Sequence, residues 1–242
     1  MGTCKDDVHD TTHNKVQWYK FAPYNGKRFQ GSGSISWNCT GRIKIYKKHK
    51  GDAMIAIIDI NTGNLSNINR VVGGTITSNP YEIEKAEKII FPGVGSFQYV
   101  SNVIEPIKGV LMDKIKSGIP YLGICLGMEM LFQDSEEGSG KGLGILKGRV
   151  KKFKGVKTPH MGWNNVSLKA PSLIMQGIPD NSFFYFMHSY YVPENEFTIM
   201  ETEYGNTFAS GIGYGNIYGV QFHPEKSGEN GVRVLKNFGG LK

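Results

Sequence analysis

From Met54 onward the chain alternates short apolar runs with segments of helical period. Met54-Ile55-Ala56-Ile57-Ile58-Asp59 is a continuous apolar run of the kind a buried parallel strand shows. Asn61 to Asn64 turns the chain, and Leu65, Ile68 and Val72 share one face, which predicts a helix over 65–72 ended by Gly73-Gly74. Thr75-Ile76-Thr77 reads as a very short second strand and Lys88-Ile89-Ile90-Phe91 as a third. Residues 103–116 read as the next helix, broken near Pro106. The second half loses the helical period: residues 148–153, 164–168, 183–187, 198–203, 208–214 and 217–222 read as strands on the second half of a mixed sheet. The pattern predicts an α/β fold with a central, mostly parallel or mixed sheet flanked by helices. Open sheets of this kind bind ligands beyond the carboxyl ends of their strands.

One such end breaks sharply. Tyr121-Leu122-Gly123-Ile124-Cys125-Leu126-Gly127-Met128 reads as strand, tight turn and helix, with a glycine two residues from the cysteine on either side. A nucleophile on such an elbow sits in a strained conformation, and its neighbours lack side chains so that strand and helix approach closely. A helix running from here through Glu129 to Phe132 would aim its first N–H groups at the sulfur and favour thiolate. An isolated cysteine is more often a small buried hydrophobe. A second stretch, Gly219-Val220-Gln221-Phe222-His223-Pro224-Glu225, weighs against that here. Residues two apart in an extended segment share a side, and Pro224 keeps His223 extended, so His223 and Glu225 are displayed together. A carboxylate beside an imidazole fixes its tautomer, the third role in a nucleophile, base and orienter set. Pro92-Gly93-Val94-Gly95, after the third strand, reads either as a plain turn or as backbone lying close to a ligand.

Length and charge narrow the picture. The 242 residues allow one large domain, or one domain with an appendage. The net charge of +7 suggests a nucleic-acid partner until it is divided. Residues 1–53 hold ten Lys or Arg against four Asp, a net of +6, and the remainder, with 18 basic and 17 acidic residues, stands at +1. The run from Arg42 to Lys50 is more often a solvated charge face, and we expect no nucleic-acid partner. No apolar run approaches the length of a membrane span and no signal-peptide core is present, so we expect a cytoplasmic protein with no membrane partner. Cys4, Cys39 and Cys125 offer neither a disulfide framework nor metal-ligand spacing. We expect no metal and no cofactor. The glycine-rich segment 138–144 satisfies neither phosphate-loop pattern and reads as a flexible surface loop.

The elbow G-I-C-L-G and the downstream F-H-P-E together resemble the class I (triad) glutamine amidotransferases, from Met54 to the C-terminus. Three further stretches are similar to the glutaminase subunits of imidazole glycerol phosphate synthases: Pro159-His160-Met161-Gly162-Trp163-Asn164, His188-Ser189-Tyr190-Tyr191, and Lys226-Ser227. The resemblance implies that fold, with Cys125, His223 and Glu225 as the catalytic set. It also implies an oxyanion hole at Gly93, Val94 and Leu126, donated by the Val94 and Leu126 N–H groups. Gly95, Glu129, His188, Ser189 and Tyr190 would bind glutamine, and Asn64, Met161, Trp163 and Lys226 would lie toward a partner. The implied partner is a (β/α)₈ barrel cyclase in a heterodimer, which receives ammonia and forms imidazole glycerol phosphate in histidine biosynthesis. In such enzymes the peptide joining the residues numbered here Gly93 and Val94 can turn its N–H away until the partner and its ligand are bound. Trp163 alone reads equally well as a core aromatic.

The chain departs from the family in several places. Glu129 stands where a glutamine is usual and exchanges an amide for an acceptor-only carboxylate, Asp59-Ile60-Asn61 lacks a tyrosine common there, and the second strand is short. Three other readings stay open: a paralogue feeding a cyclase-like partner in surface-polysaccharide sugar amidation, a non-catalytic docking subunit, and a stand-alone hydrolase of γ-glutamyl bonds. Residues 1–53 match nothing in the family; we expect Met54 to be the natural start and 54–242 the amidotransferase domain, with translated upstream sequence one source of the extension. Deleting residues 1–53 should therefore leave thermal stability and glutamine hydrolysis unchanged, and an insoluble or inactive product would make the extension part of the fold.

Overall fold

The computed structural model describes residues 33–37, 43–47 and 54–241, and the chain divides into two compact units, Met1–Asp52 and Ala53–Lys242. In the first, β1 (Gly33–Trp37) pairs antiparallel with β2 (Ile43–Lys47). The aromatics before residue 33, and Cys4 and Cys39, lie outside the described residues.

The second unit begins with the predicted alternation: β3 (Ile55–Ile58), α1 (Leu65–Val72), β4 (Thr75–Thr77), α2 (Pro80–Glu84) and β5 (Lys88–Gly93). There follow α3 (Phe97–Val103), α4 (Glu105–Lys116), β6 (Tyr121–Cys125) and α5 (Leu126–Glu129). Next come β7 (Asp134–Ser135), β8 (Arg149–Lys152), β9 (His160–Leu168), β10 (Ser182–His188) and β11 (Tyr190–Tyr191). The unit closes with β12 (Thr198–Tyr204), β13 (Asn206–Tyr214), β14 (Ile217–Val220), a 3₁₀ turn over Pro224–Lys226 and α6 (Gly228–Gly239). Nine strands form one sheet in the order β10-β9-β12-β13-β14-β6-β5-β3-β4. It is parallel from β14 to β4 and antiparallel from β10 to β14, the predicted mixed sheet. Along β3 the pleat divides the core: Ala56 and Ile58 join a cluster with Ile107 and Leu111 of α4, whereas Ile55 and Ile57 pack with Ile68 of α1 and Val234, Leu235 and Phe238 of α6. Helices thus cover both faces of the parallel half. Among the described residues no helix is long and apolar enough to cross a membrane.

Four expectations are corrected. The helix expected over 103–116 is not broken at Pro106: α4 runs unbroken from Glu105, the break lies before it at Ile104, and Pro106 sits in the first turn, where its missing N–H has no partner to lose. The elbow helix is a single turn ending at Glu129 and does not reach Phe132. The cause lies in the glycine-rich segment and the residues just after it: Leu143, Gly144 and Leu146 N–H donate to the carbonyls of Met130, Phe132 and Leu131, which a longer helix would have used itself. That segment is therefore packed, not a flexible loop, and a side chain at Gly142 would collide with the Phe132 carbonyl. Finally, the strand expected over 148–153 leaves the main sheet and pairs with β7 and β11 in a small three-stranded one.

The tightest packing lies at the elbow. A Cβ on Gly127 would strike the Phe91 carbonyl oxygen of β5, and one on Gly123 would strike the Gly127 carbonyl. Backbone on both sides cannot yield as a side chain would. Gly127→Ala is expected to lower stability by about 3 kcal/mol, read as a fall in the urea midpoint; a midpoint matching the parent would show that the contact can relax.

Candidate active site

Cys125 ends β6 with φ 53 and ψ −109, a left-handed conformation that a side chain adopts only under constraint. Its sulfur is free and the residue is 5% exposed. The buried Tyr121 hydroxyl donates to the Gly127 carbonyl at 2.9 Å and ties the strand to the turn. Since α5 is one turn long, its dipole adds less at the sulfur than the sequence pattern implied. Gly93, at the end of β5, lies in register with Cys125, which brings Pro92 to Gly95 alongside the sulfur, and Gly95 takes φ 117.

The imidazole arrives from the end of β14, the strand that runs parallel beside β6. His223 N–H donates to the Tyr185 carbonyl of β10 at 2.8 Å, and the Ser227 hydroxyl donates to the His223 carbonyl at 2.6 Å while accepting from Tyr185 N–H at 2.9 Å. This closed ring of bonds fixes the histidine backbone and gives Ser227 a structural task. His223 Nδ1 donates to Glu225 Oε1 at 2.9 Å, both side chains being almost wholly buried. The pair meets across a 3₁₀ turn, not along an extended segment, because Pro224 opens that turn immediately after His223. Burial opposes a charged ring, but the Cys125 sulfur and the Glu225 carboxylate outweigh it and push the His223 pKa up to about 10. The other ring nitrogen, Nε2, has no hydrogen-bond partner in the protein.

A cavity of about 170 Å³ opens over the sulfur. Cys125, Leu126, Val94 and Gly95 line its floor side, and Glu129, His188, Ser189 and Tyr190 line it as well. Two further residues face it that the sequence reading passed over: Glu137, which accepts from Phe97 N–H at 2.6 Å, and Met187. Burial, moderated by a hydrogen bond from Gln221 and reinforced by the Glu137 charge, raises the Glu129 pKa to about 8. Gln221 itself is wholly buried beside Cys125. A lone amide inside an apolar run, two residues before His223, was its only signal.

His188 does not present free ring nitrogens to the cavity. Its Nδ1 lies 2.7 Å from the Tyr190 carbonyl, and its Nε2 lies 2.9 Å from Nδ1 of His160, the residue opposite it across β9 and β10. A carbonyl only accepts, so the donors run one way: Asn164 to His160, His160 to His188, His188 to Tyr190. Burial holds both rings neutral, with pKa values lowered to about 3 for His188 and about 4 for His160. The small sheet braces the same wall, through Phe153 N–H to the Ser189 carbonyl and the pairing of Tyr190 with Lys152.

The opposite face of β9 is open. Met161 and Trp163 are 58% and 56% exposed, so Trp163 is not a core aromatic. Its ring meets Tyr185 edge-to-face, and Lys226 Nζ lies 5.7 Å from the Tyr185 ring centroid. Asn64, half-buried, precedes α1 and its side chain does not cap it. Among the described residues no group of His, Cys, Asp and Glu is arranged to hold a metal ion.

The His223 pKa gives a pH signature. It lies above the unfolded value near 6.5, so its proton stabilises the fold fully below that pH, and the contribution is lost as pH rises through about 10. The urea midpoint should fall between pH 6.5 and 10, and fall less in Glu225→Gln, which removes one charge holding the proton. An equal fall in both proteins would show that Glu225 does not hold it.

The family model for class-I glutamine amidotransferases matches residues 56–239. The imidazole glycerol phosphate synthase subunit HisH of Thermococcus kodakarensis is 50% identical over 192 residues, covering 76% of this chain and 98% of that protein. HisH of Pyrococcus furiosus is 51% identical over 188 residues, covering 76% and 97%. A solved glutamine amidotransferase structure superposes with a TM-score of 0.62 at 13% identity, covering 78% of this chain and all of that one, a likeness of fold. With a family model spanning most of the second unit and relatives this similar over nearly their whole length, the chain belongs to the class-I glutamine amidotransferases, in the group of the HisH subunits.

Proposed function

We propose that the chain is the glutaminase subunit of an imidazole glycerol phosphate synthase, hydrolysing glutamine to glutamate and ammonia at Cys125 and passing the ammonia to a cyclase. The observation that carries the chemistry is the buried His223–Glu225 pair, bonded at 2.9 Å, with Cys125 on its strained elbow as a charge partner. The Cys125 sulfur attacks the side-chain amide carbon of glutamine. The oxyanion that forms is held by the N–H groups of Val94 and Leu126, and His223 gives its proton to the departing ammonia. His223 then takes a proton from water, which attacks the thioester and releases glutamate. Glu225 keeps the imidazole in the tautomer this needs.

Free ammonia is lost unless it is delivered, and the acceptor site belongs to a partner. We assign the partner face to the open side of β9, where Met161 and Trp163 stand exposed beside Tyr185 and Lys226. A large aromatic and a flexible thioether are residues from which interface anchors are made. Met187 lies opposite Met161 in register and also lines the cavity, so this face runs to the edge of the site. The partner of this reading is a (β/α)₈ barrel cyclase.

Cys125→Ala should abolish glutamate release while leaving ammonia-dependent synthesis by the cyclase intact; near-parental release would remove Cys125 from the mechanism. If the Gly93–Val94 peptide completes the oxyanion hole only with the partner bound, the isolated chain should be slower by about 10²–10³ than the chain with cyclase and acceptor ligand. Equal rates for the chain alone, with cyclase, and with cyclase plus ligand would show a hole formed at rest.

A further inference from the structure

Gln221 follows β14 directly, and its side chain is buried between the nucleophile and Glu129. Its amide nitrogen lies 3.0 Å from Glu129 Oε1 and 3.7 Å from Cys125 Sγ, with one hydrogen available for each. Its amide oxygen is buried without a hydrogen-bond partner. An unpartnered buried acceptor is unfavourable, so a constraint must hold the amide in this sense. Glu129 supplies one. An ionised carboxylate can only accept, and it obliges the amide to present its NH₂ end. A protonated Glu129 can donate, and half a turn of the amide then gives the oxygen a donor. The same turn replaces the N–H facing the sulfur by an oxygen.

We propose that Gln221 is a positioning residue for Cys125, and that Glu129 selects which end of the Gln221 amide faces the sulfur, so that ionisation of Glu129 is coupled to the reactivity of the nucleophile. The inference rests on the reading of Cys125 as nucleophile. The charged and titratable groups acting here are few: Glu137, from the segment after β7, acts on Glu129, Tyr190 of β11 feels Glu137, Glu129 and the neighbouring Glu136, and Cys125 with His223 stands beyond Gln221. The Glu129 pKa of about 8 places both of its states near neutral pH. A glutamine in its place would offer an acceptor and a donor at every pH and select neither orientation. Ionised Glu129 also acts on the sulfur through space, its negative charge opposing the help given by the N–H. Only the first of these opposed effects travels through Gln221.

The test is the rate of Cys125 alkylation by iodoacetamide in the isolated full chain carrying Cys4→Ser and Cys39→Ser, from pH 6.5 to 9. His223 holds its proton over most of this range. The ratio of the rate with Glu129 to that in Glu129→Gln should rise roughly three- to tenfold across it, the size one hydrogen bond gives. In a Gln221→Leu background, or Gln221→Met if leucine prevents folding, the same ratio should stay flat or fall. A flat ratio with Gln221 present, or an equal rise without it, overturns the proposal; if neither Gln221 variant folds, the first comparison decides alone. Glutamate release with cyclase present separates the two readings: a rising ratio without glutaminase activity upholds the coupling and sinks the glutaminase, and glutaminase activity with a flat ratio does the reverse.

Discussion

The site depends on the approach of the elbow to β5. Gly127 lies so close to the Phe91 carbonyl that no side chain fits between them, and Gly123 stands in the same relation to the turn above it. Backbone packed on backbone at this range admits little adjustment, and it forces Cys125 into its left-handed conformation. The Tyr121 hydroxyl then locks the turn from within the core. Had either glycine carried a methyl group, the sulfur would have moved away from the end of β5, where Gly93 and Val94 border it.

Two kinds of sheet meet at that sulfur. The parallel half supplies the sulfur and the floor, because each of its strands ends at the same edge and hands the chain to a helix. The histidine follows β14, the strand shared with the antiparallel half, and that half anchors its backbone and supplies the cavity wall. Its strands fix position by register, as where Tyr185 holds the His223 backbone on one side and meets Trp163 on the other. The wall is held by hydrogen bonds reaching across strands, and the floor by close packing. That division explains why the small sheet exists: β8 and β11 brace Ser189 and Tyr190, which belong to neither half's helices.

Much of this was legible from residues alone. Leu65 to Val72 reads as a helix and is one, since its apolar spacing and Gly73 mark both its face and its end. The bracketed cysteine and H-P-E mark the candidate site because each needs particular residues at particular spacings. The early end of α5 was not legible, for the donors that stop it come from a glycine-rich segment further along the chain and the residues just after it. Short α2 and α3 were missed although Asn79 and Ser96 cap them, their apolar faces being too brief to show a period. Glu137 carried no local signal, and the pairing of His160 with His188 becomes visible only once β9 and β10 are in register. A sequence displays local periods and turns; cross-strand partners follow from topology.

The one-way chain of donors from Asn164 through His160 and His188 to the Tyr190 carbonyl ties the history of these positions together. Each histidine must donate on one side and accept on the other, and reversing either leaves two donors or two acceptors facing one another in a buried place. The bonds also polarise each other in a common direction, so the last is strengthened by those before it. Neither histidine can therefore drift alone. In descendants of this chain, residues 160 and 188 should change as a pair or not at all, and β9 would inherit the same restriction as the wall of the cavity.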